Sequence, residues 1–461
     1  MTKKLSLFSL VMLIVAAIDS IRNLPSAALF GSTLVFFFIA AALVFLIPTS
    51  LVAAELTAGF PKKGGVYHWV DKAFGNKWAF VAIWMQWINT MVWYPTILSF
   101  IAGTAAYLIN PALVENKGYL IGSVLVVFWS ITFINFSGLH FSSKVNNICG
   151  IIGTVFPLIL LIFLGGIWVF SGRSLQIDVN FTAVIPSFSD SGNWISLVVI
   201  MASFLGMELA GVHVNDIKNP QKNFPKALLL SAFFILATMV LGSLAIAFVL
   251  PPESINLVSG TMQVFSSFFE AFHMPWFTPV LAVLITVGSI GSIINWLISP
   301  AKGLLHAAEF GYLPPFFAEK NDKGVPTRVL LAQAVLVSLL CFVYLFVPGV
   351  NGFYWFLTAL STELYMIMYI LMFFAALKLH YKYKDRSKVF KIPGGSAGIW
   401  TVCFLGTIGC MTTILLSFFP PEHVAIGSKS RYIMMVAVAN VLTISPIFLF
   451  YRYKKRNSVH S

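Results

Sequence analysis

The chain has 461 residues, of which 59% are hydrophobic and only 10% charged, with a mean hydropathy of +0.89 and a formal net charge of +13. A soluble domain carries roughly 45–50% apolar and about 25% charged residues, so this composition excludes a water-soluble globular protein and points to a chain dissolved in lipid. The four cysteines, Cys149, Cys341, Cys403 and Cys410, fall inside apolar runs with no CxxC pair, and read as small buried hydrophobes rather than disulfides or metal ligands.

A helix needs ~20 mostly apolar residues to cross a hydrocarbon core about 30 Å thick. Twelve runs meet that requirement, at 6–29, 33–57, 78–109, 119–137, 146–170, 193–213, 227–250, 277–301, 328–348, 352–378, 398–419 and 432–451. The short alternating segments of a transmembrane barrel are not seen. Lys3 and Lys4 before the first run imitate a signal peptide, but eleven further runs favour a retained first span. With those two lysines placed in the cytoplasm and the loops alternating, 24 of the 29 Lys and Arg lie inside. Four lie outside (Lys117, Arg173, Lys429 and Arg431), and Arg22 falls within span 1. This is the positive-inside pattern. It predicts a multi-pass cell (inner) membrane protein with both termini cytoplasmic, and it explains the basic excess by topology rather than by a nucleic-acid partner. The stretches between spans are short, so 1–461 reads as a single transmembrane domain whose function sits in the bundle or at its rims.

Two spans look broken. Span 1 reads Val15-Ala-Ala-Ile-Asp-Ser-Ile-Arg-Asn-Leu-Pro25, with an acid, a base, an amide and a proline at mid-membrane depth. Span 6 reads Ala202-Ser-Phe-Leu-Gly-Met-Glu-Leu-Ala-Gly211, with two glycines around an acid. The five-span offset, with opposite starting sides, fits two inverted repeats, at about 6–170 and 193–378, whose first helices are discontinuous and frame a site near the midplane. Irregular backbone is tolerated in lipid only where it is buried in protein or lines a cavity. The expectation is an all-α integral membrane fold of about twelve transmembrane helices. It has a five-plus-five inverted-repeat core with discontinuous helices 1 and 6, and two extra C-terminal helices at about 398–451.

Charged residues deep in a span cost about 2.5–3.5 kcal/mol each on insertion scales, so Asp19, Arg22, Glu208 and Glu363 read as functional by default. The competing reading is internal pairing, since Asp19 and Arg22 are three apart, on one helix face. An amino acid brings a carboxylate, suited to freed backbone N–H groups at a broken helix, and an ammonium group, suited to freed carbonyls. Asp19, Ser20, Arg22 and Asn23 on span 1 are substrate-binding candidates, as are Ser203, Phe204 and Gly206 on span 6, where glycine permits close backbone approach. Glu208 and Glu363 are proton-sensing or gating candidates, since a carboxyl shielded from water is a proton carrier in waiting. Trp296, in span 8, is a pocket-lining candidate that can stack on substrate or close a gate, and Trp87 beside Gln86 is a second.

The histidines offer no HExxH, and His68, His140, His213, His306 and His380 fall near the cytoplasmic rims as solvated or helix-end residues. There is no P-loop, GxSxG or GxGxxG in a βαβ context. No cofactor, metal or catalytic residue is therefore expected, and transport must be driven by gradients. A channel would need a repeated filter or hydrophobic gate, which the sequence does not show.

Several motifs resemble the amino acid–polyamine–organocation superfamily. Phe60-Pro-Lys-Lys-Gly-Gly-Val-Tyr-His-Trp69 follows span 2, Asn219-Pro-Gln-Lys-Asn-Phe-Pro225 follows span 6, and Ser299-Pro-Ala-Lys-Gly303 begins the stretch after span 8. Leu250-Pro-Pro-Glu-Ser-Ile-Asn-Leu257 and Phe390-Lys-Ile-Pro-Gly-Gly395 are similar to the glutamate/γ-aminobutyrate antiporter branch. The resemblance implies alternating access, an amino acid or amine substrate, and a pocket built by spans 1, 3, 6, 8 and 10; exchange is the leading reading, with a proton-coupled symporter as the alternative. It places Glu208 at the family's acidic position in span 6 and Trp296 at an aromatic in span 8. Protons are a further expected partner. One departure stands out: Asp19-Ser-Ile-Arg-Asn-Leu-Pro25 replaces the usual glycine-rich break in span 1. Its Asp favours a cationic group on the substrate, and its Arg favours an extra carboxylate.

Overall fold

A computed structural model of the chain describes residues 6–60, 65–138, 143–187, 191–216, 219–383 and 390–457. Lys3, Lys4, the 61–64 part of the motif after span 2, His140 and the side chain of His213 lie outside what is described. Eleven described helices are long and apolar enough to cross a membrane. Span 1 is Leu7–Ala28, span 2 Gly31–Gly59, span 4 Lys117–Phe136, span 5 Ile148–Phe170, span 6 Gly192–Gly211 and span 7 Gln221–Ala247. Span 8 is Phe277–Glu309, span 9 Thr327–Leu345, span 10 Val350–Lys382, span 11 Gly395–Leu416 and span 12 Lys429–Asn457.

The twelfth helix is span 3, Asn76–Ala106, which at 31 residues is ample to cross but less apolar than the rest. Its polarity follows from its position. Span 3 packs against spans 8 and 10 and buries Asn89, Thr96, Ser99 and Thr104. A helix walled by protein satisfies polar side chains on its neighbours, whereas one facing lipid must be apolar outward. Span 12 is the opposite case, with Val438, Val441, Leu442 and Phe448 on its outer surface. Span 8 continues beyond the expected end at 301 because Pro300 is accommodated inside the helix.

Both expected discontinuities are present. Span 1 is α-helical over Leu7–Ile18, passes through extended backbone at Ser20 (φ −139°, ψ 109°), and resumes as a 3-10 turn over Ile21–Asn23 and a short helix over Leu24–Ala28. Pro25 sits in the first turn of that last helix, where a missing N–H costs nothing. In span 6 the helix Ser196–Ala202 gives way to turns and then to a 3-10 segment, Met207–Asp216. Gly206 stands at the junction with φ 109°, a conformation that L side chains rarely adopt.

Spans 5 and 8 cross at unusually short range. A Cβ on Gly288 would lie 2.5 Å from the backbone of Gly153, so glycine at both positions lets the two backbones touch. One turn of π-helix, Ile151–Val155, reshapes span 5 at that crossing, and a second, Ala42–Leu46, lies in span 2. Each precedes a proline, Pro157 and Pro48, whose missing N–H and ring favour such a bulge.

Hydrogen bonds cross-tie one end of the bundle. Thr261 Oγ1, on the helix Gly260–Ala271 between spans 7 and 8, donates to the Ile21 carbonyl at 3.0 Å. Tyr354 donates its hydroxyl to the Arg22 carbonyl at 3.1 Å. Asn351 clamps the same connection, accepting from the Leu257 N–H at 2.8 Å and donating to the Ile255 carbonyl at 3.0 Å.

Candidate functional site

The two breaks face one cavity of about 200 Å³ at the centre of the bundle. Span 1 contributes Asp19, Ser20, Arg22 and Asn23, span 6 contributes Gly206, and span 8 contributes Ser289, Ser292 and Trp296. A second lobe of about 330 Å³ adjoins it through shared walls at Ile18, Thr90, Gly206, Trp296 and Tyr365. That lobe reaches toward Leu13, Ile83 and Gly303, away from the cross-tied end, and includes Trp87 and Gln86. The first lobe is rich in hydroxyls and amides among apolar side chains; the second is more apolar.

Arg22 and Asp19 do not pair. The extended residue Ser20 interrupts the helical register that would put them on one face, and the structure shows no ion pair between them. Asp19, 5% exposed, accepts a hydrogen bond from Thr238 Oγ1 of span 7 at 2.9 Å through Oδ2, while its Oδ1 has no hydrogen-bonding partner in the protein. Arg22, 6% exposed, donates from Nη1 to Thr96 Oγ1 at 2.6 Å and to Tyr354 Oη at 3.5 Å, and its guanidinium lies 5.4 Å from the Trp93 ring centroid. Its Nε is buried without a partner, as is Asn23 Oδ1. Both ions therefore line the cavity with only neutral protein partners.

Glu208 is arranged differently. It is 2% exposed and lies behind Tyr365, outside the cavity wall. Tyr365 donates to its Oε1 at 2.5 Å, and Tyr369 donates to its Oε2. Gln86 Nε2 donates to the Tyr365 hydroxyl at 3.3 Å, and the Gly206 N–H donates to the Tyr369 hydroxyl at 2.9 Å. A continuous chain of polar contacts thus runs from the cavity wall through Tyr365 to Glu208 and on to the span 6 break.

Besides Glu208, three more expected site residues stand outside the cavity. Ser203 Oγ returns to the Val199 carbonyl at 3.0 Å, closing the end of the helical segment. Phe204 is fully buried with its ring edge-on to Phe38 of span 2. Glu363 points from span 10 to span 12, where Asn440 Nδ2 donates to it at 2.9 Å. Trp296 lines both lobes, and its carbonyl accepts from the Tyr94 hydroxyl at 3.3 Å.

Sequence reasoning missed Thr96, Tyr354, Thr238, Tyr365 and Tyr369. A signal existed for the last two: tyrosines four apart on a buried span share one face, opposite the acid of span 6. His380 stands in the last turn of span 10, a helix-end residue as expected, but its side chain is not solvated. Its Nδ1 lies 2.6 Å from Glu55 Oε1 of span 2, and the Ile392 N–H donates to Glu55 Oε2 at 2.8 Å.

Comparison with known proteins agrees with this architecture. The amino acid permease family model matches residues 5–440. The chain belongs to that family. This amino acid permease is 43% identical over 92% of its length to an uncharacterised transporter of Legionella pneumophila, covering 91% of that protein. It is 29% identical over 98% of its length to a glutamate/γ-aminobutyrate antiporter of Lactococcus lactis, covering 92% of that chain. Among solved structures it is similar to MhsT in complex with L-phenylalanine, at a TM-score of 0.58 and 12% identity, over 90% of this chain and all of that one. The permease is thus a multi-pass membrane transporter, not an enzyme, and its substrates are small amino-acid or amine molecules.

Proposed function

We propose that this permease is an amino-acid antiporter that works by alternating access from a cell (inner) membrane with both termini cytoplasmic. Substrate binds in the cavity between the broken spans 1 and 6, with Asp19, Ser20, Arg22, Asn23, Gly206 and Trp296 around it. The observation that carries the reading is the pair of half-satisfied buried ions, Asp19 and Arg22, on the wall of one cavity. A zwitterion supplies the missing partner of each, and bound substrate then offsets a desolvation cost that the empty carrier bears alone. An empty carrier that reorients poorly and a loaded one that reorients readily is the property that makes an exchanger. The antiporter named among the relatives supports the same reading.

The segment that ties span 1 to spans 7, 8 and 10 closes the periplasmic end in this reading, and the second lobe leads to the cytoplasm. Glu208 and its two tyrosines form a proton-responsive gate beneath the substrate, which is the feature that favours a proton symporter as the second reading. Ser203 and Phe204 support the span 6 break, and Glu363 steadies span 10 against span 12.

Counterflow in proteoliposomes separates the readings. Labelled amino acid should accumulate only in vesicles preloaded with unlabelled substrate. Accumulation in empty vesicles under an imposed proton gradient would establish symport instead.

A further inference from the structure

We infer that a groove on the outer face of the bundle, formed by the start of span 3, the end of span 10 and the first turns of span 11, binds one anionic phospholipid, with an acyl chain along the groove and the phosphate on Lys378. The inference goes beyond the exchanger reading and does not depend on it.

The groove has a volume of about 480 Å³ and shares no residue with either lobe of the central cavity. Its floor is a stripe of span 10, where Leu371, Phe374 and Lys378 follow at helical spacing. Trp78 of span 3 and Trp400 of span 11 flank that stripe, and both helices pack on span 10. Trp78, Phe374 and Trp400 are each about half exposed, so much of their apolar surface is left for a ligand to cover. The Trp400 indole N–H donates to the Tyr381 hydroxyl at 3.0 Å, which fixes one edge of the groove across spans 10 and 11.

The chemistry changes along the stripe. Leu371 and Phe374 lie farther from the helix end, and Lys378 and then the exposed Lys382 lie nearer to it. An amphiphile has the same order, an apolar chain followed by a charged head. Tryptophan and tyrosine favour the boundary between hydrocarbon and headgroups, which is the level this cluster marks. Lys77, exposed beside Trp78, adds a cation at the same rim.

Charge decides the class of head. Lys378 Nζ lies 4.8 Å from the Phe74 ring centroid, a contact that holds the ammonium at the groove without neutralising it. Among the described residues no carboxylate forms an ion pair with Lys378. Glu55, which faces span 10 from span 2, is taken up by His380 and the Ile392 N–H, and Asp71 neighbours Tyr67 and Tyr312. A phosphodiester supplies the missing anion while its acyl chain covers the exposed rings.

Native mass spectrometry of the full chain in detergent, titrated with phosphatidylglycerol or with phosphatidylcholine of the same acyl chains, tests the site. The unaltered chain should hold one phosphatidylglycerol per protomer, well above the level of phosphatidylcholine. Lys378→Gln should weaken that binding on the order of tenfold, and Lys378→Arg should retain it. Leu371→Trp, which fills the groove and leaves the lysine in place, should weaken it similarly. Arg452→Gln, at an exposed position near the end of span 12, should leave it unchanged. Equal retention of the two lipids by the unaltered chain overturns the inference whether or not any variant folds. So does undiminished binding in Lys378→Gln or Leu371→Trp. An Arg452→Gln protein that loses as much as Lys378→Gln would reduce the site to diffuse attraction at a basic rim and overturn it too. A lipid-free dimer that cross-links through Trp400→Cys would put a second copy of the chain in the groove, with the same consequence.

Discussion

Arg22 and Glu208 sit on opposite broken spans and are buried to a similar degree, yet the protein treats them in contrary ways. Glu208 receives a tyrosine hydroxyl on each carboxylate oxygen, and both tyrosines are themselves anchored, by Gln86 and by the Gly206 N–H. Arg22 and its neighbour Asp19 face the cavity with unfilled hydrogen-bonding positions. A group completed by its own protein serves structure or gating. A group left incomplete on a cavity wall awaits a ligand, because an unsatisfied buried polar atom costs roughly 1–3 kcal/mol and more when charged. The two centres should accordingly respond to mutation in different currencies, binding for one and pH response for the other.

The largest effect should come from Asp19→Asn. It keeps the Thr238 contact but removes the charge, and exchange should fall on the order of a hundredfold at normal membrane abundance, measured as initial rates in proteoliposomes. A mutant that keeps near-normal exchange would detach Asp19 from substrate. Next is Tyr369→Phe, which strips one donor from Glu208 and one acceptor from the Gly206 N–H. Purified protein should lose about 1–3 kcal/mol of stability, read as an earlier thermal unfolding midpoint. Glu208→Gln should preserve substrate binding while flattening the pH dependence of uptake between pH 5.5 and 7.5. An unchanged pH profile would remove Glu208 as the sensor and erase the contrast with Arg22. Glu363→Gln should have the smallest effect, since Asn440 can bond an amide as well as an acid. A flattening as large as that of Glu208→Gln would move the proton site to the contact between spans 10 and 12.

Much of this architecture is legible in the linear chain because lipid imposes a strict code. Apolar runs of spanning length mark the helices, and the charged interruptions Asp19–Arg22 and the glycine-flanked Glu208 mark both breaks. Span 3 was legible by length even though its Gln86, Asn89 and Thr90 dilute its hydropathy. The partners were not legible. Thr96, Thr238 and Tyr354 are ordinary hydroxyl residues whose meaning comes from neighbours tens to hundreds of positions away. The pairing of Asp19 with Arg22 looked available from spacing alone, and it fails because Ser20 adopts an extended conformation between them. His380 and Glu55, far apart in the chain, show the same limit. Ser203 and Phe204 illustrate the converse: proximity to a break does not make a side chain face the cavity, since the turn that frees the backbone also sends those two into packing.

The central claim, that substrate completes the buried ions at the span 1 break, is tested most directly by an experimental structure with the most rapidly exchanged amino acid bound. The account predicts ligand density between spans 1, 3, 6, 8 and 10, with a carboxylate within about 3 Å of the Arg22 guanidinium and an ammonium group at hydrogen-bonding distance from Asp19. Ligand bound elsewhere, or bound here with Asp19 and Arg22 still contacting only Thr238, Thr96 and Tyr354, would contradict it.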